Sequence, residues 1–164
     1  MASDPRIKLL PEIKTDHLFD IVINLAPKLD FGAGPLGRRI LFGSAGGTFS
    51  GPQLRGEVMP GGGDWTLFRP DGTMTLDVRL TLQTHDDALI YMTYGGRWTT
   101  PIALRQQMAD VTVRHQIDPA LYYFRTNPVF ETGAKQYAWL NDVVCVGQGY
   151  LVEGGIAYQV ARVV

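Results

Sequence analysis

Between Thr73 and Leu82 the chain reads TMTLDVRLTL. Met74, Leu76, Val78, Leu80 and Leu82 alternate with Thr73, Thr75, Asp77, Arg79 and Thr81. A period of two belongs to a β-strand with two distinct faces. Shorter apolar runs punctuated by glycine and turn residues repeat the signal along the chain. HLFDIVINL (His17–Leu25) predicts a first strand. Arg38–Phe42 predicts another, followed by a glycine-broken bend at Gly46–Gly47, while GAGPLG (Gly32–Gly37) reads as loop. Gly51-Pro52 marks a turn before QLRGEVM. Gly61–Gly63 suit a turn or bulge where a side chain would clash or φ must be positive. Pro70-Asp71-Gly72 predicts a tight turn joining DWTLFR to TMTLDVRLTL as an antiparallel hairpin, because proline presets φ and glycine accepts a positive one. His85-Asp86-Asp87 is a further turn before ALIYMTYGGRW. Ile102, Leu104 and Met108 allow one short helical segment, and Asp118-Pro119 a turn. LYYFRT, KQYAWLN, DVVCVGQGYLVE and IAYQVARVV complete the chain as strands.

Strands therefore dominate, with turns about every 8–12 residues. The expectation is one all-β domain over residues 1–164, with at most one short helix. A closed antiparallel β-barrel is favoured, because long strands without covering helices must manage their edges. Composition narrows the partners. With 15 basic and 16 acidic residues the net charge is −1, and without a basic tract a nucleic-acid partner is not expected. The start, MASDPRIKLLPEI, lacks a signal-peptide pattern, and no stretch approaches the ~20 apolar residues of a membrane span. A soluble cytoplasmic protein without membrane contact is the expectation. The single cysteine, Cys145, excludes an internal disulfide and reads as a buried, inert thiol in VVCVG. His17, His85 and His115 are scattered without metal-ligand spacing, so no metal site is expected.

Two long stretches carry a family resemblance. GGTFSGPQLRGEVMPGGGDWTLFRPDGTMTLDVRLTLQTHDDALIYMTYGG and YYFRTNPVFETGAKQYAWLND resemble the two signatures of the domain-of-unknown-function 3237 family, also called uncharacterised protein family 0311. The resemblance covers roughly Gly37 to Val160. It implies a small barrel similar to calycin and allene-oxide-cyclase barrels, often found as a homo-oligomer, and no common activity. The turn at Asp86-Asp87 lacks the glycine the family often carries after the aspartate.

Candidate chemistry follows from the strand faces. Asp77 and Arg79 share one face of their strand. If the apolar face meets the core they point at water; if the barrel is hollow they line a ligand cavity, where Arg79 offers a planar donor fork to an oxyanion. In LYYFRT, Tyr123 and Arg125 share a face. Read as a strand, KQYAWLN places Tyr137, Trp139 and Asn141 together. Aromatics with a few polar handles suit a small-molecule pocket as well as a packed core. Asp64, beside Trp65, either fixes the turn or stands at a pocket rim. Glu57, in a strand with Gln53 and Arg55, pairs with Arg55 or Arg79, or serves as a general base where a dry pocket raises its pKa. Glu131 falls in a loop, where binding residues often sit. No nucleophile elbow, phosphate loop or dinucleotide fingerprint occurs.

Three functions fit. One is a cofactor-free enzyme of isomerase, cyclase or lyase type acting on a small aromatic or keto-containing molecule. Asp77 or Glu57 would move a proton, and Arg79 or Arg125 would hold developing charge. The second is a non-catalytic binder of a small hydrophobic ligand. The third is a structural or interaction barrel with a filled interior.

Overall fold

The computed structural model describes residues 4–164; Met1–Ser3 of the N-terminal stretch lie outside it. The strands are β1 (Thr15–Leu25), β2 (Leu29–Gly34), β3 (Gly37–Ser50), β4 (Arg55–Val58), β5 (Gly63–Phe68), β6 (Met74–Thr84), β7 (Leu89–Thr99), β8 (Tyr123–Thr126), β9 (Val129–Glu131), β10 (Cys145–Val152) and β11 (Gly155–Val163). All pair antiparallel in one sheet. Following β1–β3–β5–β6–β7–β8–β10–β11 back to β1 closes a ring of 8 strands, the expected barrel. Closure leaves every wall strand paired on both sides, which answers the edge problem.

Two positions in the ring are divided. β4 and β5 share the place between β3 and β6: β4 pairs with Gly47–Ser50 and β5 with Arg38–Gly43. Likewise β8 pairs with the Gly96–Thr99 end of β7 and β9 with its Tyr91–Thr93 portion. The triple glycine makes the first division. Gly61, Gly62 and Gly63 have φ of 90°, 74° and 149°, and a Cβ on Gly62 would lie 2.4 Å from the Arg79 carbonyl oxygen. Only glycine allows this approach at that backbone angle. The Pro70-Asp71-Gly72 turn forms as expected, with Leu67 opposite Thr75 and Phe68 opposite Met74.

The expected elements need four corrections. KQYAWLN is not a strand: Lys135–Asp142 is a 3₁₀ segment. Its buried residues are Tyr137 and Leu140, a spacing of three that matches the 3₁₀ turn and not the alternation read from the sequence. GAGPLG is not simply loop, since β2 runs through Gly34 and forms a hairpin with β3 outside the ring. The bend at Gly46–Gly47 does not end its strand. β3 continues through both glycines at positive φ, with a register shift opposite Asn24 and Leu25. Glu131 lies on β9, opposite Tyr91, and not in a loop. The helical segment at Ile102–Met108 is a 3₁₀ turn (Ile102–Leu104) running into one short helix, α1 (Arg105–Ala109). At the His85-Asp86-Asp87 turn Asp87 takes the left-handed conformation, φ 65°, the conformation a glycine would accept without strain.

Alternation sorts each strand's residues between core and solvent. On β6, Leu76, Val78, Leu80 and Leu82 are buried while Asp77, Arg79 and Thr81 are exposed. The interior is filled by side chains such as Phe19, Ile21, Ile90, Met92, Phe124 and Val160. Among the described residues no helix is long and apolar enough to cross a membrane.

Candidate functional site

The outward face of β6 decides the position of Asp77 and Arg79. They form an ion pair with each other, Arg79 Nη1 to Asp77 Oδ1 at 2.7 Å, and each side chain is 52% exposed. The Arg79 guanidinium lies 6.0 Å from the centre of the Trp65 ring, also on the outer wall. Their expected place in an interior cavity is thus corrected, because the apolar half of β6 occupies the core. Glu57 is also exposed, opposite Thr48 and Gln83, with no dry surroundings. Tyr123 and Arg125 do share a face, the outer one. The Arg125 guanidinium lies 5.3 Å from the Tyr123 ring centre. Glu131 is exposed on β9.

Tyr137, Trp139 and Asn141 do not line a common pocket; each ties the 3₁₀ segment to a different neighbour. The Tyr137 hydroxyl donates to Asp86 Oδ1 at 2.9 Å. Asn141 Oδ1 accepts from the Thr132 N–H at 2.9 Å, and its Nδ2 donates to the Thr132 carbonyl at 3.0 Å. The Trp139 ring lies 5.9 Å from the Arg162 guanidinium. Asp86 accepts from the Thr84 hydroxyl, from Tyr137 and from Gln136, and these bonds hold its carboxyl down at about 2.

Asp64 is different. Gly63 ends the bulge, so Asp64 and Thr66 fall on the inner face of β5, and Thr66 is fully buried. Asp64 stands opposite Val78, and Val78 opposite the buried Tyr94. The half-buried Asp64 carboxylate accepts the Asp77 backbone N–H at 3.0 Å. Loss of solvent pushes its pKa upward; the nearby Thr66 hydroxyl and the Asp77 N–H offset part of the rise. Its negative charge adds to the effect of burial in raising both Tyr94 and Tyr158, so both phenols stay neutral. The rings of these tyrosines meet edge-on at 5.4 Å. From Tyr158 an aromatic chain continues through Phe124 at 5.4 Å to Trp98, stacked on Phe124 at 4.7 Å.

Three buried polar atoms in this section of the barrel have no hydrogen-bond partner of normal geometry: Thr66 Oγ1, Thr126 Oγ1 and Trp98 Nε1. Register places Thr126 and Trp98 near each other, since Gly96 pairs with Thr126 and Trp98 with Phe124, while Thr66 lies on β5 beside Asp64. Each such group costs about 1–3 kcal/mol when left unpaired. The constellation is therefore Asp64, Thr66, Tyr94, Trp98, Thr126 and Tyr158, of which only Asp64 was singled out from the sequence. The others needed strand register; alternation in YMTYGGRW and IAYQV carried part of the signal, since it separates Tyr94, Trp98 and Tyr158 from outward neighbours. Cys145 is fully buried and burial pushes its thiol up to about 11, away from nucleophilic use. Among the described residues no group of three or more His, Cys, Asp or Glu side chains is placed to hold a metal ion.

Comparison with known proteins gives the same architecture. A family model described as a protein of unknown function (DUF3237) matches residues 13–163. A UPF0311 protein of Clostridium acetobutylicum is 33% identical over 138 residues, 84% of this chain and 85% of the relative. The crystal structure of a conserved protein of unknown function from Rhodopseudomonas palustris superposes with a TM-score of 0.86 at 28% identity, covering 94% of this chain and 100% of that one. A structure described as an enzyme from Penicillium herquei shares the fold, with a TM-score of 0.70 at 20% identity over 96% of this chain and 100% of that one.

Proposed function

We propose, for a chain that belongs to the DUF3237 family of proteins of unknown function, a cofactor-free acid–base enzyme of isomerase, cyclase or lyase type. Its substrate is a small aromatic or keto-containing molecule, and its proton carrier is the half-buried Asp64. The observation behind this reading is an inward, half-buried carboxylate with a raised pKa, one register step from the buried Tyr94 and Tyr158 pair, whose phenols stay neutral. A carboxylate lifted toward neutrality accepts a proton more readily than an ordinary one. Asp64 takes a proton from a carbon next to a carbonyl. A hydroxyl of Tyr94 or Tyr158 donates a hydrogen bond to the developing enolate oxygen. Return of the proton at another carbon completes an isomerisation with no net change in oxidation state.

Asp77, Arg79, Glu57 and Arg125 are placed outward and enter this scheme only through the wall they belong to. The test is a titration of the Asp64 carboxyl by carbon-13 NMR. A midpoint clearly above the ordinary carboxylate range supports the proposal, and Asp64→Asn should then return deuterium uptake at the α-carbon of an aryl ketone such as acetophenone to the uncatalysed rate. An ordinary midpoint would remove the basis for catalysis by Asp64.

A homo-oligomer in the cytoplasm belongs to the same proposal. Leu29, Phe31 and Leu36 on the β2–β3 hairpin are 59%, 63% and 68% exposed, a cluster of apolar side chains suited to a subunit contact. Light scattering on the eluted protein measures the mass directly; a monomer at all concentrations rejects the oligomer.

A further inference from the structure

The outer wall carries a second arrangement, remote in its chemistry from Asp64. Arg97 on β7 and Arg125 on β8 are direct cross-strand partners. Like charges set opposite each other on a sheet are unfavourable, and among the described residues neither has a carboxylate at ion-pair distance. Each guanidinium instead rests on a nearby carbonyl: Arg97 Nη1 donates to Gly96 at 2.8 Å and Arg125 Nη1 to Phe124 at 3.0 Å. Most donors of the two forks therefore remain free. The carboxylates nearest in register or sequence are already engaged. Asp77, a diagonal neighbour of Arg97 through the Thr75–Arg97 and Asp77–Gly95 pairs, is held by Arg79. Asp118 accepts the Ala120 N–H.

Beside Arg125 lies an open groove of about 530 Å³, lined by Thr99, Pro101, Leu121, Tyr122, Tyr123 and Arg125, among others, with Arg97 just outside its lining as the cross-strand partner of Arg125. Thr99 and Tyr123 are themselves cross-strand partners, one step along from the arginines on the same outer face. Tyr123, under Arg125, is 53% exposed, and Leu121 is 54% exposed. The groove thus places an exposed aromatic ring and an apolar wall next to Arg125, whose charge and that of its strand partner Arg97 have no protein counter-ion.

We infer that this groove binds a small aryl carboxylate, with the carboxylate held by Arg125, the charge of Arg97 reinforcing it from across the strand pair, and the ring lying against Tyr123 and Leu121. A planar guanidinium fork matches a carboxylate, and an anion beside the pair relieves the repulsion that the strand register imposes. The site is separate from Asp64 and holds whether or not the interior is catalytic.

Calorimetric titration of the full chain with benzoate tests the inference, with inorganic phosphate and benzylamine as comparison probes. Saturable one-to-one benzoate binding is expected, stronger than phosphate and absent for benzylamine. Arg97→Gln and Arg125→Gln should each weaken it by about tenfold or more, the loss of a charge-assisted contact. Arg79→Gln, which removes an arginine already paired on the same wall, and Asp64→Asn, which alters the interior, should leave it unchanged. Far-ultraviolet circular dichroism of each variant verifies that the barrel is intact. The inference is overturned by no saturable benzoate binding, by equal binding of phosphate, or by full affinity in folded Arg97→Gln or Arg125→Gln. Loss of binding in Asp64→Asn alone would assign the ligand to the interior instead.

Discussion

Gly149 and Phe124 allow a direct test of how the interior is packed. Gly149 lies on β10 opposite Tyr158, and the Phe124 ring from β8 fills the space where its side chain would be. A Cβ added there would lie 2.8 Å from both Cδ1 and Cε1 of that ring. Ordinary contact begins at 3.4 Å, so the ring must retreat by about 0.6 Å (3.4 less 2.8). It has little freedom to do so, being stacked on Trp98 at 4.7 Å and edge-on to Tyr158 at 5.4 Å. Overpacking of this kind costs about 1–3 kcal/mol. Loss of a glycine from the unfolded chain returns roughly 0.4–1 kcal/mol. Gly149→Ala should therefore destabilise by about 1–2 kcal/mol in urea unfolding, with a changed near-ultraviolet signal from Trp98. Phe124→Leu removes the obstructing ring. In the double variant the two effects should fall short of their sum by about 1 kcal/mol. Wild-type stability in Gly149→Ala, or strict additivity with Phe124→Leu, would refute the claim that this glycine exists to admit the ring.

Asp64→Asn should stabilise the protein at neutral and alkaline pH. Burial raises the folded-state pKa of Asp64, so its contribution to stability is present below the unfolded pKa and is lost as pH rises through the folded one. Thermal melts across pH check this, and an advantage for the variant that grows in acid would contradict it. Asp86 has the opposite sign: its pKa is depressed to about 2, so its contribution is present above the ordinary carboxylate value and disappears as pH falls toward 2. In Asp86→Asn the acid-unfolding curve should lose that component, and an unchanged curve would count against the Thr84–Asp86–Tyr137 arrangement. Asn141→Ala should cost about 2–3 kcal/mol by breaking both bonds to Thr132 and leaving a buried backbone group unpaired. A change below ~0.5 kcal/mol in urea unfolding would return Asn141 to the list of candidate ligand contacts.

Fold class was legible because period-two alternation and glycine-proline punctuation are local properties. TMTLDVRLTL and the Pro70-Asp71-Gly72 turn state their hairpin outright. The 3₁₀ segment at Lys135–Asp142 was not legible, since seven residues that alternate by type also fit a three-residue turn; packing of Tyr137 and Leu140 chose between them. The site divided along similar lines. Alternation correctly grouped Asp77 with Arg79, and Tyr123 with Arg125, but which group faces the core depends on what fills the barrel. The apolar residues of β6 took that place. Asp64 became distinctive only when the triple glycine set its strand's register. Tyr94, Thr126 and Tyr158 lie far apart in sequence and meet only through ladders of paired strands.

The division of two ring positions has a mechanical meaning. β6 and β7 share one continuous ladder from Met74–Trp98 to Gln83–Leu89. On its outer margins each of these strands faces a partner in two pieces, β5 and β4 on one side and β8 and β9 on the other. The hairpin is thus a stiff panel hung on two perforated seams. At the perforations, between Val58 and Gly63 and between Thr126 and Val129, the regular ladder gives way to single rungs, Met59 N–H to the Thr81 carbonyl and Asn127 N–H to the Gly95 carbonyl. Asp64 stands on one of those seams and Tyr94 on the panel itself, so a tilt of the panel changes the distance between carboxylate and phenol while every strand stays hydrogen-bonded.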